Sequence, residues 1–92
     1  MNLVFEWDAR KAASNRRKHG VSFEEAATSF DDDFSVTIPD PLHSWGEPRY
    51  LLLGMSNTSR LLVVVHSERG DRIRLISARP AAPAEKRTYE KR

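Results

Sequence analysis

The chain has 92 residues, no cysteine and a formal net charge of +2. That length fits one domain, residues 1–92, with a core modest enough for a partner to add stability. Lack of cysteine excludes a disulfide framework, a redox pair and a thiolate zinc site, and the longest apolar run, Leu61–Val65, is far too short for a spanning helix.

Leu3-Val4-Phe5 reads as a short first strand. Asp8 is an N-cap for a helix running to about His19, and Gly20 supplies its left-handed stop. On this helix Ala9, Ala12, Ala13 and Arg16 make a thin face fit to lie close on a sheet. Lys11, Asn15 and Lys18 form a polar stripe on another side. Ser22 and Glu25 form a capping box, and Phe23, Ala26, Ala27 and Phe30 follow as the core-facing stripe of a second helix. Asp31-Asp32-Asp33 lacks the spacing of a calcium loop and reads as a solvated helix end.

From Phe34 the period is two: Phe34, Val36 and Ile38 alternate with Ser35 and Thr37, and Pro39 and Pro41 close the strand. A polar loop over 40–48 leads to strand-like runs at 49–55, 60–68 and 72–79, with Gly54 marking a bend or bulge. Leu61–Val65 is apolar throughout, which predicts a central strand covered on both faces. Gly70-Asp71 is a turn signal, and Pro83 suits the first position of a last helix. The expected class is α+β: a short N-terminal strand, two helices, a four-stranded mainly antiparallel sheet and a C-terminal helix.

Charge is segregated along the chain. Residues 10–20 carry Arg10, Lys11, Arg16, Arg17 and Lys18 without an acid; residues 21–48 carry seven acids without Lys or Arg; basic residues dominate again from Arg60. Such polarity suits a polyanion on one side and a basic partner on the other. With a two-residue turn at Gly70-Asp71, Arg69, Arg72 and Arg74 share a face with Val63, Val65 and Ile76. Glu68, His66, Ile73, Leu75, Ser77 and Arg79 take the opposite face. Arg74 and Arg79 then differ in parity and cannot meet one phosphate unless a bulge intervenes or Arg79 lies past the strand end. Guanidinium groups bind phosphate in a fork and stabilise charge developing on it.

No P-loop, nucleophile elbow, dinucleotide fingerprint or zinc pattern is present, and no cofactor is expected. His19 closes the first helix, and His66 reads as a packed strand residue. His43 sits in the polar loop with Trp45, Glu47, Arg49 and Tyr50, a mixture able to stack a base and move a proton. Trp45 equally suits a lid over the core. Cleavage of RNA needs a base, a charge stabiliser and a proton donor, because the 2′-hydroxyl is the nucleophile. His43, Glu47, Glu68 and Tyr89 are the candidate proton movers, and Tyr89 is alternatively an anchor for the last helix.

Phe5-Glu6-Trp7-Asp8, Lys11, Asn15 and the run Lys18 to Ala26 resemble the opening of the BrnT family. So do Asp33, Asp40, His43, Glu47, Arg49-Tyr50, Gly54, Val63 to Val65, Arg72-Ile73-Arg74, Ile76 to Arg79, Glu85, Arg87 and Tyr89 further on. The resemblance implies a RelE-like fold, metal-independent endoribonuclease activity, arrest of translation and a cytoplasmic location. It also implies a BrnA-like antitoxin partner, through which operator DNA is bound indirectly, and no membrane association. The catalytic set it implies is Arg74, Arg79, His43, Glu47 and Tyr89, with Lys11, Lys18 and Arg49 binding RNA; the arginine cluster at the Gly70-Asp71 turn adds Arg69 and Arg72 to the RNA-binding set. Pro80, Pro83 and Ala84 stand where many relatives carry Lys or Arg, thinning the charge near the last helix. The alternative is a non-catalytic member of the fold that binds a partner or acts as a co-repressor.

Overall fold

The computed structural model describes residues 3–40 and 46–91. In chain order these form β1 (Val4–Glu6), α1 (Ala9–His19), α2 (Phe23–Thr28), a 3₁₀ turn (Ser29–Asp31), β2 (Val36–Pro39), β3 (Arg49–Met55), β4 (Leu61–Arg69), β5 (Arg72–Pro80) and α3 (Pro83–Lys91). One sheet contains all five strands in the order β1-β5-β4-β3-β2. Pairing is antiparallel except where β1 runs parallel to β5. The four-stranded sheet expected from sequence therefore has a fifth member. β1 pairs with the strand most distant from it in the chain, which local patterning does not show.

The apolar run of β4 lies at the centre of the sheet, as its composition predicts. Leu52, Leu62, Val64, Leu75 and Ala78 point to one face and are buried there against Val21, Phe23 and Ala26. Trp7 packs edge-on to Phe23 at 5.9 Å, and Phe5 edge-on to Phe30 at 5.1 Å, so the partly buried aromatics seal the margin of this core. His66 is buried between Phe30 and Tyr50, and burial pushes its pKa down, so it packs as a neutral ring.

Asp8 caps α1 by accepting from the amides of Arg10 and Lys11, and Gly20 ends the helix at φ 69°. The helix is rotated relative to the sequence reading. Ala9, Ala13 and Arg16 are exposed, whereas Ala12 and Asn15 turn inward. The reason is Asn15 itself. Its amide nitrogen donates to the carbonyls of Val21 and Ala78, and its carbonyl oxygen accepts from the Ala78 amide. A polar residue with all those groups engaged is at home in a core, and it locks α1 onto β5.

Ser22 caps α2 through the Glu25 amide, but Glu25 does not close the box in return. Its carboxylate receives Arg60, Ser56 and Thr58, while Arg60 also donates to the Gly20 carbonyl. These donors, Arg60 first, lower the Glu25 pKa to about 2. Gly54, expected to mark a bend or bulge, serves instead as a point of close approach. A Cβ there would stand 2.7 Å from the Ser29 carbonyl oxygen, so the 3₁₀ turn rests directly on β3.

Candidate active site

α1 and α2 cover one face of the sheet. The opposite face is where the arginines of β3, β4 and β5 gather. Cross-strand register places Arg69 opposite Arg72 and Ser67 opposite Arg74, as the Gly70-Asp71 turn requires, and Gly70 has φ 62°. Beyond His66 and Leu75 the register slips by one, so that Val65 faces Ser77 and Val63 faces Arg79. Ile76 is the extra residue of this β-bulge. The slip brings Ser77 and Arg79 over to the face of Arg74, which corrects the parity expected from an undistorted strand. One inserted residue puts the two arginines on the same surface.

The family model described as "Ribonuclease toxin, BrnT, of type II toxin-antitoxin system" matches residues 7–85. The chain belongs to the BrnT family. Among solved structures it is similar to the ribonuclease toxin BrnT of Brucella abortus, with a TM-score of 0.69 and 21% identity, over 88% of this chain and 99% of that one. That likeness shows the α+β fold. No curated protein matches the chain. As a member of this ribonuclease toxin family, the chain has an antitoxin for a partner.

In this BrnT-family chain three carboxylates already pair with the arginines of the open face. Glu6 of β1 accepts from Arg74 at 3.0 Å and lies 3.9 Å from Arg72. Glu47 accepts from Arg69 at 3.1 Å. Glu85 of α3 takes Arg79 in a two-pronged fork at 2.8 and 2.7 Å, the geometry a phosphate would adopt. The Arg79 contact holds the Glu85 carboxyl below its usual range and raises Arg79 in turn. Arg49 has no ion pair among the described residues. A groove of about 370 Å³ runs over this surface, lined by Asp40, Arg49, Leu51, Val65, Ile76, Ser77 and Arg79.

α3 lies across the apolar end of the same face. A smaller cavity of about 150 Å³ separates it from Val36, Ile38, Leu51, Leu53 and Val63. Tyr89 on α3 donates its hydroxyl to Asp32, whose carboxylate also accepts from the amides of Phe34 and Met55. Of the two roles open to Tyr89, this contact is that of an anchor. Met55 is at the far end of β3 from Arg49, ~20 Å along a seven-residue strand. Asp32 is thus a structural hub, and among the described residues no cluster of three or more metal-ligating side chains occurs.

Several candidate residues lie apart from the arginine cluster. Lys11 and Lys18 are exposed on α1, which packs on the other face of the sheet. Glu68 pairs with Ile73 and so points to the helix side. His43 and Trp45 are outside the described residues. Not singled out from the sequence were Glu6, Asp40, Ser67 and Ser77. Pairing across the Gly70-Asp71 turn already sets Ser67 opposite Arg74, so that signal was available; Glu6 needed the β1–β5 contact.

Proposed function

We propose that this chain is a metal-independent endoribonuclease that binds RNA along the open face of its sheet and arrests translation until a BrnA-like antitoxin covers it. The observation carrying this reading is the bulge at Ile76, which puts Arg74 and Arg79 on one surface with Arg49, Arg69 and Arg72. In the reaction, the 2′-oxygen forms a bond to phosphorus as the bond to the 5′-oxygen breaks, leaving a 2′,3′-cyclic phosphate and a 5′-hydroxyl. A base takes the 2′-proton, a donor protonates the leaving oxygen, and Arg74 and Arg79 hold the charge on the phosphoryl oxygens.

Glu47 is a candidate base by its place beside Arg69 on this face, and neighbouring donors hold its carboxyl below its usual range. His43 is the further candidate for a proton mover, and Tyr89 contributes through the position of α3. Lys11 and Lys18 join only where RNA wraps past β1 to the helix side. Glu24, Asp31 and Asp33 are exposed, and so is Phe34 at 65%, which suits a basic, partly apolar antitoxin segment. Through that antitoxin the complex reaches operator DNA.

The test is induction of the chain alone in a bacterium, with an Arg74→Ala/Arg79→Ala variant beside it, and assay of both purified proteins on RNA in excess chelator. Growth arrest and chelator-resistant cleavage, both lost in the variant, are expected. Intact RNA with verified soluble protein would leave the non-catalytic partner module as the reading.

A further inference from the structure

One row of the open face has an unusual member at its centre. Arg49 of β3, Ser67 of β4 and Arg74 of β5 are direct cross-strand partners, so their side chains emerge side by side. Strand spacing sets the two arginine backbones ~10 Å apart with Ser67 midway. Ser67 is fully buried, yet its hydroxyl has no hydrogen-bond partner among the described residues. An unsatisfied buried hydroxyl is costly, and natural structures keep few of them. This one is flanked by two guanidinium-bearing strands on the very face where the arginines collect.

We propose that Ser67, with Arg49 and Arg74, forms a phosphate subsite in which the Ser67 hydroxyl donates to a non-bridging oxygen of an RNA phosphodiester. The inference rests on the ribonuclease reading and deepens it by naming the groups that join Arg74 at the phosphoryl oxygens. Arg49 is the guanidinium of this row without an ion pair among the described residues, and Arg74 has one prong on Glu6. Negative charge is already tolerated at this place. The Ser67 hydroxyl faces the Glu47 carboxylate without completing a regular hydrogen bond to it, and with Arg69 and Arg74 it holds that carboxyl below its usual range. A phosphodiester seated on the row therefore comes to rest beside Glu47, where a base is needed.

The experiment uses the full chain, an RNA oligonucleotide whose 2′-O-methyl groups block cleavage, and inorganic phosphate as a minimal probe followed by amide NMR. Ser67→Ala is expected to keep or raise the melting temperature, since it removes an unsatisfied donor. It should weaken oligonucleotide binding at least fivefold. Phosphate-induced shifts at Arg49 and Arg74 should vanish in the variant. Ser67→Cys, which keeps the volume with a weaker donor, should fall between. Wild-type affinity and unchanged phosphate shifts in Ser67→Ala would overturn the proposal. A wild-type chain that fails to cut RNA but still shows Ser67-dependent phosphate shifts would overturn the ribonuclease reading and support the subsite.

Discussion

On the helix-covered face of the sheet, buried side chains such as Phe23, Leu62 and Leu75 exclude water, and the inserted Asn15 has its amide and carbonyl groups engaged by backbone. On the open face, arginines meet Glu6, Glu47 and Glu85 in pairs that solvent still reaches, with side-chain exposures from 24% to 58%. Solvent screening leaves each such pair contributing little to stability. They can be exchanged for pairs with phosphate at little loss, whereas the Asn15 contacts cannot be exchanged for anything. One face is built to keep its partners and the other to change them.

Substitutions on the two faces should separate stability from activity. Phe23→Ala should lose about 3–5 kcal/mol in denaturant unfolding, enough to unfold much of a domain this small. Arg79→Ala should cut RNA cleavage by about 10²–10³-fold, the effect of removing one charge-stabilising donor, while stability stays within about 1 kcal/mol. Equal losses in both measurements would break the comparison. Asn15→Ala strands the Ala78 amide in the core and should cost about 1–3 kcal/mol, with activity falling only as far as folding does.

A pH titration sharpens the contrast. Glu25 has its folded pKa depressed to about 2 from 4.5, so its contribution is complete above about pH 4.5 and is lost as pH falls toward 2. Glu25→Gln should therefore lower stability at neutral pH, and the gap from wild type should close across that acid window. A gap unchanged down to pH 2 would contradict the clamp. The smallest effect is expected from Lys11→Ala/Lys18→Ala, whose RNA affinity should drop less than that of Arg74→Ala in a filter-binding assay.

Elements whose pattern is local were legible in the sequence. The caps at Asp8, Gly20 and Ser22, the strands of the β3–β5 meander and the start of α3 at Pro83 follow from side chains within a few positions of one another. The parallel pairing of β1 depends on residues nearly seventy positions apart, Val4 with Arg72, and no period records it. The inward turn of Asn15 escaped for a related reason: its partners Val21 and Ala78 are backbone groups, which carry no residue signature. The bulge was legible only as a conflict. Arg74 and Arg79 have opposite parity, and a face bearing both demanded a slip whose position at Ile76 came from the structure alone.

Gly54 offers a different use of this architecture. Its missing side chain lets the Ser29 carbonyl sit against β3, so Gly54→Ala would push the 3₁₀ turn and α2 away from the sheet while leaving every side chain of the open face as it is. Such a change acts on the folded population and not on the chemistry. In a gene for a toxin it specifies a heat-sensitive allele: potent in the cold, silent when warmed, and recovered on cooling.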